Sequence, residues 1–351
     1  MKRLTSLTSY FLLLTAFCLL LTACASTPTG PQTITIMTHD SFAIGEEVVK
    51  AFEADNNAKV SFIQSGDAGS MLNQAILTKD APIADVLFGV DNTFLSRALD
   101  ADIFEAYQSP ALSDVADEFK LDPSNRALSV DYGDVCINYD KAYFAENDLA
   151  VPQSFEDLAK PEYKDLLVVE NPATSSPGLA FLLATRAHFG DGYLDYWKSL
   201  KANGVVVVDG WETAYYTNFS ASSGKGPQPM VVSYASSPAA EVFFASPAPS
   251  ESPTASIVAS GMCFRQIEFV GILKNGKNRD LAQKFVDFML SQKFQEDMPL
   301  NMFVYPVNKN AQLPEVFINF AQVAESPAAL SYAEIASNRD AWIEAWTAAM
   351  K

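Results

Sequence analysis

Apolar and polar positions divide this chain into two regimes. Residues 10–21 are an almost unbroken apolar run behind the basic pair Lys2 and Arg3, too short to span a bilayer comfortably. From Thr33 onward, alternating or apolar runs take turns with amphipathic stretches. Residues 33–38 alternate as a strand, and a helical stretch follows over about 45–56. The pattern then predicts a strand at 59–63, a loop at 65–70, a helix at 71–79, a buried strand at 84–89 and a helix at about 93–101. That succession is the pattern of a layered α/β unit with a largely parallel sheet. Residues 128–139 read as one long extended segment. A second α/β pattern follows, with strands at 166–170, 205–208 and 230–233. Its helices fall at 178–189, 193–203, 211–219 and 239–244. Residues 245–256, rich in Pro, Ser and Ala, read as a surface loop. Residues 263–270 are again extended, 279–291 form an amphipathic helix, and about 332–350 a helix with Trp342 and Trp346 on one face.

One lobe therefore interrupts another. Residues 33–133 and 264–305 make the first lobe and 134–263 the second, while 306–351 form a C-terminal helical region packing on both. Residues 128–139 and 263–270 are the crossings. Ligands of open α/β sheets sit beyond the carboxyl ends of the strands. Residues 39–41, 67–70 and 91–92 fall at such ends.

The leader changes the expected compartment. It ends in Leu21-Thr22-Ala23-Cys24, which resembles the lipobox cut by bacterial lipoprotein signal peptidase. The resemblance implies that residues 1–23 are removed, that Cys24 carries lipid, and that 24–32 form a flexible tether to a membrane surface facing the periplasm or the exterior. Of 24 Lys and Arg, Lys2 and Arg3 leave with the leader, so 22 basic residues face 42 acidic ones. Such a surface repels nucleic acid and favours cationic ligands. Cys136 and Cys263 remain once Cys18 and Cys24 are accounted for. An even pair in an oxidising compartment is expected to bridge, with two separate buried thiols as the alternative.

Two segments share a local design. Ser175-Ser176-Pro177 and Ser236-Ser237-Pro238 each follow a strand and open a helix, with serine suited to the cap and proline to the first turn. Free N–H groups at such an end make an anion seat, although simple capping explains either motif alone. Asp67, in Ser65-Gly66-Asp67-Ala68-Gly69-Ser70, is placed to balance an amine or a cation, or to serve as a turn aspartate. Trp211, after a strand, offers a flat face for a heterocycle or cation, with core packing as the competing role. His39 lies at a strand end, whereas His188 sits in a helix. Catalytic motifs are absent: there is neither Gly-x-Ser-x-Gly nor His-Glu-x-x-His, nor any cysteine pair at metal-ligand spacing.

From residue 33 to 350 the chain resembles the thiamine-binding subunit of bacterial ABC importers, in the two-lobed type II periplasmic-binding-protein superfamily. The likeness rests on Thr38-His39-Asp40-Ser41-Phe42, Asp67 with Ser70-Met71-Leu72-Asn73, Asp131-Tyr132-Gly133, Thr174-Ser175-Ser176-Pro177-Gly178, Gly210-Trp211-Glu212-Thr213-Ala214-Tyr215 and Ser233-Tyr234. It implies a non-enzymatic protein without a cofactor, which closes on thiamine or a thiamine phosphate and hands it to a permease driven by an ATPase. In that pattern Asp67 is the acidic contact, Trp211 and Tyr234 are aromatic contacts, and Ser175 with Ser176 supplies donors. His39 stands where a tyrosine is usual and Phe303 where a tryptophan is. A polyamine, ferric ion or organic anion in the same scaffold is the alternative ligand; Tyr215-Tyr216 is a weak version of a ferric site. A secreted α/β hydrolase is the alternative of another class, and the missing nucleophile motif counts against it.

Overall fold

The computed structural model describes residues 30–221 and 225–351; the leader expected over residues 1–23 and the lipid attachment expected at Cys24 lie outside the described residues. The strands are β1 (Gln32–Thr38), β2 (Ala58–Gln64), β3 (Val86–Asp91), β4 (Phe104–Glu105), β5 (Leu128–Asp140), β6 (Leu167–Glu170), β7 (Val206–Val208), β8 (Met230–Tyr234), β9 (Thr254–Ile257), β10 (Phe264–Leu273) and β11 (Tyr305–Pro306). They order as β2-β1-β3-β10-β5-β8-β6-β7, with β4, β9 and β11 attached beside β10 and β5. The fold is the mixed α/β architecture of type II periplasmic-binding proteins, its sheet divided into two halves that share β5.

That sharing follows from the length of β5. Residues 128–135 pair antiparallel with β10, whereas 135–140 pair with β8 and β9. On one side β2, β1 and β3 run parallel, and on the other β6 lies parallel to both β7 and β8. Cys136 and Cys263 are joined by a disulfide at the changeover, their Cα atoms 4.4 Å apart. Strand β9 corrects the loop expected over 245–256. Thr254 to Ile257 pair with β5, which gives their backbone groups partners that their Pro- and Ser-rich surroundings do not advertise.

Burial explains the local choices. Every residue of β3 is buried, as suits a strand covered on both faces. The helix Arg279–Met289 buries Leu281, Ala282, Phe285, Val286 and Met289, and Phe285 meets Phe52 edge-on at 5.1 Å. Asn57 stops the helix Glu46–Asn56 in the left-handed region, at φ 47°. None of the helices among the described residues is long and apolar enough to cross a membrane.

The last helix, Tyr332–Met350, touches both halves. Trp346 packs edge-on against the fully buried Trp197 at 5.4 Å, and Arg186 lies over Trp342 at 5.3 Å. One turn earlier Arg339, itself buried, donates to Ser96 at 3.1 Å and covers Phe94. Replacing Trp346 by Ala removes a large buried ring from this seam. We expect a loss of about 3–5 kcal/mol in unfolding free energy, measured by urea denaturation followed by circular dichroism.

Candidate functional site

A cavity of about 310 Å³ opens between the two halves, within the range usual for small-molecule sites. One wall is the segment after β1, with Asp40, Ser41, Phe42 and Ala43, together with Met302, Phe303 and Val304. The facing wall comes from the helical turns after β7, with Trp211, Glu212, Tyr215 and Tyr216, from Tyr234 at the end of β8, and from Phe244 at the end of the helix Ser237–Phe243.

Each wall is held by identifiable bonds. The segment after β1 is pinned where Gly45 N–H donates to Asp297 at 2.7 Å and Ala43 N–H to the Met302 sulfur at 3.1 Å. Phe303 adopts a left-handed backbone, φ 54°, and its carbonyl accepts the Ser236 hydroxyl from the other half. Opposite, the Trp211 ring stacks on Tyr215 at 4.9 Å, and its indole N–H donates to Ser233 at 2.9 Å. Tyr215 in turn donates to Glu241 at 2.5 Å. The aromatic faces are thus fixed before any ligand arrives, which lowers the entropic cost of binding.

The charge in the cavity is negative. Asp40 and Glu212 stand on opposite walls, and among the described residues no Lys, Arg or His lines it. Burial raises the Asp40 carboxyl above its ordinary range. Burial also raises Glu212, with the charges of Asp40 and Asp67 adding to the effect. Two carboxylates that disfavour each other's ionisation are relieved by a cation between them.

Of the residues singled out in the sequence, Trp211, Tyr234 and Phe303 line this cavity. Asp67, Ser175 and Ser176 lie together beside it and form a contact between the halves. The Asp67 carboxylate accepts from Ala68 N–H at 2.6 Å, from Ser176 N–H at 3.3 Å and from Trp211 N–H at 3.1 Å. Its residue caps the helix Ala68–Leu77, and Ser175 caps the helix Ser176–Phe189. Two helix N-termini therefore meet, and Asp67 is the negative charge between their positive ends. The anion seat expected at Ser175-Ser176-Pro177 is filled by the protein's own carboxylate. Burial raises the Asp67 pKa, while hydrogen bonds from Ser175, Trp211 and Ala68 oppose the shift. Gly69 donates to Thr174 O at 3.0 Å, and a Cβ at Gly69 would lie 2.8 Å from that same oxygen, so only glycine permits this approach.

His39 is buried behind the wall. Its Nε2 lies 3.4 Å from Glu268, and burial lowers its pKa to about 4, leaving it neutral. His188 pairs with Glu156 at 2.9 Å, far along the chain from the cavity-lining segments.

Asp40 falls within the strand-end segment 39–41, but neither it nor Glu212 stands out in the sequence as a binding residue. The available signal was position: each adjoins a selected residue, His39 or Trp211, at the carboxyl end of a strand. Tyr215 and Tyr216, a weak ferric pattern in the sequence, stand in the cavity wall. Among the described residues no group of three or more His, Cys, Asp or Glu is placed to hold a metal ion.

Comparison with known proteins agrees with this architecture. Residues 81–319 match the family model described as bacterial extracellular solute-binding protein. The thiamine-binding periplasmic protein of Salmonella typhimurium is 31% identical over 339 residues, covering 94% of this chain and 97% of that protein. Its Escherichia coli counterpart shows the same identity and coverage. A solved structure titled periplasmic thiamin binding protein superposes with a TM-score of 0.80 at 29% identity, covering 93% of this chain and 98% of the other. The chain belongs to the bacterial extracellular solute-binding protein family.

Proposed function

We propose that this protein captures thiamine outside the cytoplasm and delivers it to the permease of an ABC importer, breaking no bond in the process. The observation that carries the reading is the cavity itself, with fixed aromatic faces and two carboxylates on opposite walls. Thiamine offers the complement, a flat cationic thiazolium and an aminopyrimidine rich in donors. A desolvated cation over an aromatic face gains about 2 kcal/mol, and a hydrogen bond to a charged group about 1.5–3 kcal/mol. The thiamine-binding names of the relatives support the same ligand. A thiamine phosphate enters the reading as a second form of the cargo. Cys24, through its lipobox, is read as the lipid anchor that keeps the protein at the membrane.

A ferric ion in the same scaffold fits less well. The Tyr215 hydroxyl donates to Glu241, and burial pushes that phenol well above its ordinary range, against the tyrosinate that iron needs. A polyamine would satisfy Asp40 and Glu212 but leave the stacked ring faces without a planar partner.

Closure is read as rotation of the two halves about β5 and β10, with Asp67 docking on Ser176 and Trp211 as the cavity shuts.

Calorimetric titration with thiamine, thiamine phosphates, spermidine and Fe³⁺ tests the ligand. Thiamine is expected to bind below about 1 μM, and Fe³⁺ to show no saturable heat. Trp211→Ala should weaken thiamine binding about thirtyfold, the equivalent of one cation–π contact. Glu212→Gln and Asp40→Asn should each weaken it at least about tenfold. Asp67→Ala removes the bonds to Ser176 and Trp211, and small-angle scattering should then show a larger radius of gyration without ligand. An unchanged radius would remove Asp67 from the closing contact.

A further inference from the structure

Behind the Tyr234 wall, three carboxylates stand side by side on adjacent strands. Glu268 of β10 is in direct register with Asp91 of β3 on one side and with Asp131 of β5 on the other. Residues paired in this way project from the same face of a sheet, so the three form a row. All are buried, Asp131 completely. The row continues toward the cavity. Gly133, two residues after Asp131 and on the same face, lies under the Tyr234 ring; a Cβ there would be 2.9 Å from that ring.

Among the described residues no positive charge balances the row. Asp91 is satisfied by donors, accepting from Thr93 at 2.7 Å, from Phe94 N–H at 3.3 Å and from the Gln266 amide. Among the described residues neither oxygen of Asp131 accepts from an N–H or hydroxyl group, and its hydrogen-bonding neighbour is the Glu268 carboxyl. His39 approaches Glu268 from the segment after β1 but is neutral, and its Nε2 makes no hydrogen bond. Tyr234 on β8 and Asp67 complete the titratable groups around Glu268, and neither is a cation. Arg265, on the same strand as Glu268, is committed to Asp134 through two bonds of 2.9 Å. Two adjacent buried carboxylates with neither a cation nor an N–H donor beside them among the described residues are relieved when one of them takes up a proton.

We propose that Asp131 and Glu268 form a proton-binding site behind the Tyr234 wall of the cleft, and that the shared proton leaves when an organic cation occupies the cavity. One carboxyl O–H bond breaks, the proton passes to solvent, and the second ionised carboxylate offsets the positive charge that has arrived. The coupling rests on the reading of the cavity as a cation site, whereas the proton site itself does not. Burial lifts both carboxyls; the negative charge of Asp131 and the hydrogen bond between the two side chains lift Glu268 further, while that same bond partly opposes the rise at Asp131, as expected when one carboxyl of a buried pair keeps a proton and donates it to the other. A proton held only by the empty form makes binding tighten as pH rises.

Two measurements decide this. Thiamine is titrated calorimetrically at pH 7 in phosphate and in Tris, whose ionisation enthalpies differ. Release of roughly half a proton or more per ligand is expected, falling to near zero in Glu268→Gln. Binding with the same heat in both buffers overturns the coupling. Separately, carbon-13 carboxyl spectra of the unmodified, ligand-free protein are followed from pH 4 to 9. A carboxyl resonance titrating above about pH 6, and lost in Asp131→Asn, is expected. If every carboxyl titrates below that, there is no proton site and the proposal fails whatever thiamine does. If thiamine fails to bind while that resonance is present, the ligand reading falls and the proton site stands.

Discussion

Strand β5 belongs to both halves of the sheet at once, and the arrangement of the molecule follows from that constraint. Its first residues are committed to β10 and its last to β8 and β9, so the halves cannot separate without breaking a continuous ladder. They can change their angle, because a strand twists and bends far more cheaply than it unpairs. The cavity lies where this freedom has the most effect, between the segment after β1 and the turn after β7. The Cys136–Cys263 bond joins the two crossing segments at the point where pairing changes hands.

Around that pivot the protein accepts an unusual electrostatic load. Asp40 and Glu212 face one cavity, Asp67 lies between two helix ends, and Asp91, Glu268 and Asp131 stand in a row behind Tyr234. Each group is handled differently. Asp67 is satisfied by backbone N–H groups and needs no partner charge. Asp91 is satisfied by a hydroxyl and an amide. The cavity pair is left for a ligand, and the Asp131–Glu268 pair for a proton. Burying carboxylates without such provision would be prohibitive. Their distribution therefore shows which charges are structural and which are available for binding.

Much of this was legible in the chain. Alternation and apolar runs place most strands and the larger helices, and the Ser-Ser-Pro segments do open helices at strand ends. Trp211 was legible from its place after a strand, whereas Tyr234 and Phe303 entered only through the family resemblance; all three line the cavity. Strand β9 was not, since its pairing with β5 is supplied by a distant segment and leaves little trace in its own composition. Asp67 shows the same limit in another form. Its turn chemistry was visible, but its partners at Ser176 and Trp211 lie more than a hundred positions away. The carboxylate row is a matter of register between strands, which no local pattern encodes.

The last helix has a consequence for the range of motion. Arg339 is anchored beside Ser96 and Phe94 in one half, while Trp346 rests on Trp197 in the other. The C-terminal end is the more heavily tied, since besides the two indoles the Tyr193 hydroxyl donates to the Trp342 carbonyl and Lys201 to the Ala349 carbonyl, each at 3.5 Å. In a rotation that parts the cavity walls the helix would travel with that half, and the Arg339 clasp on Ser96 would be the joint that has to give.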